Sequence, residues 1–460
     1  MDSNTYRSSR STKNPTKPSN PTTPTSTTVT TIITNESLLD KLTAVSKIEK
    51  QPQHNLHEFL HDSRPLEVLI NSYVPKSFLN FENSETSKLE EIVTLTQKFL
   101  DDPKELSQLQ LLVFTWNFIP YELSSDELLM CAYLMISHVL TIPELQDVRL
   151  DQDNLLLFLL AIREAYHTHP FYHNFQHAVD VLQASFMIML GANKIPHVPG
   201  VETSLYLRSE PRMPPEFLSS RNVLAVCLAS LGHDTSHPGV SNAFLIRFKS
   251  PLAAIYNEKS VLESFHTTIY LRILDRFWPS LFLEEEEEQS DRGCISIRSL
   301  IVDMIISTDI GIHTKYMKKF HKMKLQVKNN WYGIQKSQKV RFMTHFLCLL
   351  IKCSDLSYIT RPFDISLYWS NVLLLEQNDQ KVTEEHMQSK LVSPPTYAAE
   401  KRTIRSEEEQ SQLKGQVDFV DNFGAPLFQL LVHFLPSIKN QVHSIQENRK
   451  TWVAKLHSIS

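Results

Sequence analysis

An all-α architecture is predicted for this chain of 460 residues, on three grounds. Glycine is scarce: nine residues, about a quarter of what an average usage of roughly 7% would supply, with none before Gly191, so the many positive-φ turns of a large sheet protein are hard to build. Apolar residues recur at helical spacing, and no stretch sustains the alternation of a half-buried strand for long. With 42% hydrophobic and 21% charged residues, the chain can bury one large core or two ordinary ones.

Residues 1–38 are dominated by Ser, Thr, Asn and Pro, with almost nothing apolar before Val29, and predict a disordered tail that cannot bury enough surface to offset its ordering entropy. Residues 39–105 predict a short helical region, as in Leu89, Ile92, Val93, Leu95 and Leu100. Residues 106–460 predict a compact multi-helix domain, with helices over Leu128 to Ile142, Leu155 to Tyr166, Ala178 to Leu190, Val223 to Leu231, Ile297 to Ile306 and Val340 to Cys353. Three polar stretches, His197 to Arg221, Glu284 to Arg292 and Ser393 to Lys414, predict surface loops.

The formal net charge of −5 gives no global basic field, so nucleic acid is not expected as a partner. The longest apolar runs, such as Leu155 to Ile162, fall far short of the ~20 residues that span a bilayer, and no signal-peptide core is visible, so no membrane association is expected. Five cysteines in apolar contexts, without a CxxC pair, predict reduced core thiols and a cytoplasmic or nuclear location.

The histidines cluster. His167, His169, His173 and His177 fall within eleven positions, and His173 and His177 are spaced i, i+4, which shares one face if a helix has begun there. His233 and Asp234 follow the apolar run Val223 to Leu231, and Asp355 ends another apolar helix, where a carboxylate seldom sits without a partner. His177, His233, Asp234 and Asp355 together make an N2O2 set suited to zinc or magnesium, with Asp234 able to bridge to a second, harder ion.

These segments resemble the class I cyclic nucleotide phosphodiesterases, whose signature is similar to Y-H-N-x-x-H-A-x-D-V, H-D-x-D-H-P-G-x-x-N, A-D-L-S and a late Gln and Phe. This chain carries Tyr172-His-Asn-Phe-Gln-His-Ala-Val-Asp-Val181, His233-Asp-Thr-Ser-His-Pro-Gly-Val-Ser-Asn242, Ser354-Asp-Leu-Ser357 and Gln416-Val-Asp-Phe419. The resemblance extends to Tyr256-Asn257, Ser260-Val-Leu-Glu263, Asp303-Met304 and Thr308-Asp309, and within the family it is nearest to the fungal high-affinity cAMP enzymes.

The resemblance implies the helical HD/phosphodiesterase-type fold and a small-molecule cyclic nucleotide as partner. It implies Zn2+ on His177, His233, Asp234 and Asp355, Mg2+ or Mn2+ at a second site bridged by Asp234, and a hydroxide shared between the ions that attacks phosphorus. It makes His173 the general acid for the leaving 3′ oxygen and Glu376 the glutamate that orients it. It places His237, Glu263, Thr308 and Asp309 around the second ion, with His266 and Asn174 in less defined roles. Gln416, Phe419, Leu373 and Tyr172 would bind substrate, the purine held between Phe419 and Leu373.

The chain departs from the pattern at Ser236, at Phe265-His266, at Tyr358 and at Ser366. None of these is an implied metal ligand, but Tyr358 stands where the family often has an asparagine that touches the base. The H…HD…D order alone is also compatible with a broader HD-type nucleotide phosphohydrolase, and an intact pocket with a non-catalytic cyclic nucleotide sensor. His173 with Gln416 and Phe419 argues against the first, and the complete ligand set against the second.

Overall fold

The computed structural model describes residues 67, 70–81, 85–197, 217–283, 295–330, 333–389 and 406–459. The predicted tail 1–38, most of the loop predicted from His197, the Glu-rich stretch 284–292 and residues 393–405 lie outside the described residues.

Among the described residues the chain is helical throughout, without strands. The helices are α1 (Lys76–Phe81), α2 (Glu85–Asp101), α3 (Pro103–Val113), α4 (Ser125–Val139), α5 (Gln152–Ala165), α6 (Phe175–Gly191), α7 (Ser220–Gly232), α8 (Asn242–Arg247), α9 (Pro251–Ile255) and α10 (Val261–Phe277). They continue as α11 (Ile297–Thr308), α12 (His313–Asn330), α13 (Lys336–Asp355), α14 (Phe363–Ser389), α15 (Ser406–Phe419), α16 (Ala425–Phe434) and α17 (Lys439–Ile459). The starts are written in local chemistry. Ser124 and Glu127 form a capping box at α4, Ser219 and Asn222 another at α7, and Asp151 accepts the amide of Asn154 at α5.

Two predicted boundaries are corrected. α6 begins at Phe175, three residues before the predicted Ala178, because the Asn174 side chain takes the amides of Gln176 (3.0 Å) and His177 (3.2 Å) as an N-cap. His173 therefore lies before the helix, and the shared face suggested by the i, i+4 spacing does not form. The loop predicted over Ser393 to Lys414 is helical from Ser406.

The centre of the fold is a set of mutually packed helices: α6 against α7 and α13, α7 against α11 and α13, and α11 against α13. α6 and α7 are buried on nearly every face, which is why their sequences read as continuous apolar runs and not as stripes. α7 and α10 cross closely at Gly232, where a Cβ would come within 2.4 Å of the Tyr270 ring. α1 and α2 pack on α5, and their apolar side chains join the same continuous core. The predicted boundary at 105/106 falls within α3. Cys131, Cys227, Cys348 and Cys353 are buried free thiols. No helix among the described residues is long and apolar enough to cross a membrane.

One buried ion pair ties the central layer to the C-terminal half. Arg361, fully buried, donates to Asp180 Oδ1 on α6 (2.9 Å) and to the Trp116 carbonyl (2.8 Å), with its guanidinium 4.4 Å from the Trp116 ring. Asn448 of α17 donates to the carbonyls of Arg361 (2.8 Å) and Ile359 (3.0 Å). Removing one member of such a pair strands the other charge. Asp180→Ala is expected to lower the unfolding free energy by about 3–5 kcal/mol, measured by chemical denaturation.

Candidate active site

The four residues predicted to bind metal meet at one point. His177 stands in the first turn of α6, His233 and Asp234 directly follow α7, and Asp355 is the last residue of α13. His177 Nε2 lies 3.2 Å from Asp355 Oδ1 and 3.7 Å from Asp234 Oδ2. His233 Nε2 lies 3.1 Å from Asp234 Oδ2 and 3.4 Å from Asp355 Oδ1. A tetrahedron with metal–ligand bonds of about 2.05 Å has edges of about 3.3 Å, close to these four imidazole–carboxylate distances, and His177, His233 and Asp234 bring one ligand atom each within 4.8 Å of one another.

The hydrogen bonding also suits a cation. His233 Nδ1 faces the Ser230 carbonyl at 2.8 Å; a carbonyl only accepts, so Nδ1 carries a proton. Burial pushes this imidazole down, but Asp234 and Asp355 overcome it and raise the ring well above the ordinary histidine value, so a cation binding at Nε2 would displace a proton there. Nε2 is buried and has no well-directed hydrogen-bond partner, although two carboxylates stand beside it. Burial raises the Asp355 carboxyl, but hydrogen bonds from His177 and His233 outweigh this and leave it well below the usual carboxylate range. Asp234 is likewise held low against its burial, chiefly by the charge of His233. Two helices, α7 and α13, end here, and helix C-termini favour positive charge. The turn after α7 holds Ser236 at a φ of +62°, with its hydroxyl on the Ala165 carbonyl (2.9 Å), and so folds His237 back beside the cluster.

Beside this centre His173 and Glu376 form a close pair, Nδ1 against Oε1, while Glu376 Oε2 accepts the amides of Tyr172 (2.7 Å) and His173 (3.1 Å). Glu376, only 6% exposed, reaches back from the middle of α14 and is no surface charge. Burial pushes the His173 imidazole down, but the charges of Glu376 and Asp234 and the hydrogen bond to Glu376 prevail and raise it to about 9. Burial likewise pushes Glu376 up, yet His173 brings it down to about 2. His173 stacks on His237 at 4.0 Å. His237 Nδ1 accepts the Gly239 amide at 3.0 Å, and burial followed by the charge on His173 drives its pKa well below the ordinary histidine value. The pair is thus one cationic and one neutral ring.

The remaining predicted residues form the wall beyond Asp234. His266 Nδ1 donates to the Thr235 carbonyl (2.7 Å), leaving Nε2 3.7 Å from Asp234 Oδ1. Asn242 donates to both oxygens of Glu263 (3.2 and 3.0 Å) and accepts the Leu262 amide (2.8 Å). Burial and the nearby Asp309 push Glu263 up to about 7. Asp309 accepts the Ser260 hydroxyl (2.6 Å) and the Gly311 amide (2.7 Å), and the Thr308 hydroxyl donates to the Ile305 carbonyl (2.8 Å). The buried Lys352 was not singled out by the sequence: its ammonium donates to the Ser307 carbonyl (2.6 Å), and the charges of Asp355 and Asp309 oppose the lowering of its pKa by burial.

Gln416 is buried on α15 among hydroxyls. Gln412 Nε2 donates to Ser370 Oγ (3.1 Å) and Asn371 Oδ1 (2.8 Å), Ser370 Oγ donates to Gln416 Oε1 (3.3 Å), and Gln416 Nε2 donates to the Tyr358 hydroxyl (3.3 Å). The Tyr358 hydroxyl also lies 3.4 Å from Gln416 Oε1, so these hydroxyls hold the amide while fitting either of its faces. Phe419 stacks on Tyr358 (6.4 Å, 16°) and on Phe423 (5.6 Å, 17°), the latter across a π-turn at Val420–Gly424. Phe419 and Leu373 are both half-buried, Leu373 lying one turn after Trp369 and one before Glu376 on α14. Tyr172 wedges between His177 (4.4 Å) and Trp369 (5.4 Å). Ser370 carried no spacing signal, and Tyr358 stood out only as a departure from the family pattern.

Residues 172–445 match the family model described as 3'5'-cyclic nucleotide phosphodiesterase, which is more than half of the chain. The chain belongs to this phosphodiesterase family. Curated relatives include a cGMP-specific 3',5'-cGMP phosphodiesterase of Dictyostelium discoideum, 30% identical over 74% of this chain and 63% of the relative. The 3',5'-cyclic-nucleotide phosphodiesterase 2 of Saccharomyces cerevisiae is 24% identical over 77% of this chain and 63% of its own length. The chain therefore spans somewhat less than two thirds of the length of these relatives. Among solved structures, the crystal structure of yeast caPDE2 matches with a TM-score of 0.63 at 30% identity, covering 76% of this chain and 68% of that one. A second structure of yeast caPDE2, in complex with IBMX, matches at 28% identity and the same TM-score, 0.63, covering 82% of this chain and 75% of that one.

A cation that binds only the folded chain stabilises it by mass action, about 2.7 kcal/mol at a hundredfold excess over its dissociation constant. Zinc added to chelator-treated protein is expected to raise Tm, and Asp355→Ala to abolish that rise, measured by differential scanning calorimetry.

Proposed function

We propose that this chain hydrolyses a 3',5'-cyclic nucleotide, cAMP in preference, to the nucleoside 5'-monophosphate, and so lowers cAMP signalling. The observation that carries the reading is the pairing of His173 with Glu376 beside the cluster of His177, His233 and Asp234, with Asp355 against both imidazoles. Family membership and the imidazole–carboxylate pair together support it over a general HD-type phosphohydrolase or a sensor.

His177, His233, Asp234 and Asp355 would hold Zn2+. Asp234 would be shared with Mg2+ or Mn2+, whose water shell His237, Glu263, Thr308 and Asp309 border. When bound, the two cations supply an activated water and neutralise charge on the phosphate. Glu376 fixes His173 with Nδ1 toward its carboxylate, so Nε2 carries the proton that the leaving 3′ oxygen receives. His237 stays neutral and accepts the stacking of the imidazolium. The purine lies against Phe419, with Leu373 opposite, and Gln416, held by Ser370 and Tyr358, hydrogen-bonds its edge. Tyr172 seats the His173 loop against Trp369. The preference for cAMP rests on the resemblance to the fungal enzymes, and the reduced core thiols support a cytoplasmic or nuclear location.

Purified protein with magnesium is expected to turn over cAMP faster than cGMP, and His173→Ala to lose about 10²–10⁴-fold in kcat. Absence of turnover of either nucleotide in zinc-loaded protein would overturn the assignment. Because Glu376 stabilises the protonated imidazole, activity is expected to persist as pH rises toward about 9 and to fall above it. In Glu376→Gln that support is lost, so the alkaline limb of the kcat profile moves to lower pH.

A further inference from the structure

A cavity of about 660 Å³ lies between α11, α12 and α13, away from the site described above. Lys319 and Lys322 reach it from α12, Arg341 and His345 from α13, and Asp303 from α11. Arg341 is fourteen residues before Asp355 on α13, about 21 Å of helix. The volume is within the range of small-molecule sites, roughly 300–1,000 Å³.

The charge in this cavity is unbalanced. Among the described residues that line it, three permanent cations face one carboxylate, a surplus of two positive charges. Among the described residues no carboxylate forms an ion pair with Lys319, Lys322 or Arg341. The Lys319 ammonium instead lies over the Tyr316 ring, 4.3 Å from its centre. Burial, then the charges of Lys319 and Arg341, push the His345 imidazole down to about 4, which reports the same field. One part of the wall is apolar, with Ile295, Val340 and the buried Tyr316 and Phe342, beside the polar Ser337, Gln338 and Thr344.

We propose that this cavity binds a phosphate monoester dianion, with Lys319, Lys322 and Arg341 taking the phosphate and Tyr316 and Phe342 covering the attached group. A monoester carries close to two negative charges at neutral pH, which matches the surplus, and a guanidinium can meet two of its oxygens at once. A cyclic phosphodiester carries one charge and leaves the cavity half neutralised. The site is independent of the hydrolysis proposed above, but α11 and α13 run from it to Asp309 and Asp355, so an occupant would press on two helices that frame the metal cluster.

Calorimetric titration of the full chain with phenyl phosphate tests the assignment, with Lys322→Gln/Arg341→Gln as the variant. Lys322 and Arg341 are exposed at the rim, so their replacement leaves the core intact. Wild-type protein is expected to bind phenyl phosphate, and the double variant to bind it at least tenfold more weakly while keeping its melting temperature and its cyclic nucleotide turnover. Arg341→Lys, which keeps the charge, is expected to retain most of the affinity. Inorganic phosphate is expected to bind about tenfold more weakly than phenyl phosphate, because it does not use the apolar wall. No binding by wild type, equal affinity in wild type and double variant, or equal affinity for the two probes would each overturn the proposal.

Discussion

Two imidazoles, each with its Nε2 between 3.1 and 3.7 Å from the carboxylates of both Asp234 and Asp355, set the terms for the rest of this molecule. Such a group is costly in a protein interior unless positive charge is supplied and every remaining polar atom is satisfied. The fold meets both conditions. The cluster lies at the C-terminal ends of α7 and α13, where helix dipoles favour positive charge, and the outer nitrogens of His233 and His266 are committed to backbone carbonyls. The central helices are buried on nearly all faces, so their ends have little freedom to drift apart.

Catalytic capacity arises one layer farther out, where distant segments meet this rigid centre. Glu376 comes from more than 200 residues along the chain to take His173 and two amides of its loop. That contact puts a cationic imidazole beside the cluster and keeps His237 neutral. On the opposite side, the C-terminal helices carry Gln416 and Phe419, anchored through Asn448 to the same Arg361 that pairs with Asp180 on α6. The Gln416 and Phe419 side and the His/Asp cluster therefore share one buried scaffold.

The helices were legible because their signals are local: periodicity, capping residues and scarcity of glycine. Where local rules conflict, the reading failed. The His173 and His177 spacing suggested one helical face, yet Asn174 between them is a strong N-cap and started the helix after it. The Ser, Pro and Glu composition after Ser393 suggested a loop throughout, yet acidic residues are at home in a first helical turn, and α15 starts at Ser406. Tyr358 looked like a loss, since an expected asparagine was missing; its hydroxyl in fact joins Gln416, as does that of Ser370.

By itself the sequence determined the helical class, the metal-ligand candidates and the family, because each depends on residue type and near spacing. Only the tertiary structure decided that Glu376 serves His173, that His237 is the neutral partner of a charged ring, and that Ser370 and Tyr358 hold Gln416. These are properties of contact and burial across 40 to 200 residues. Electrostatic energy depends on the final distance and on the water excluded, and neither quantity is encoded in the spacing of residues along the chain.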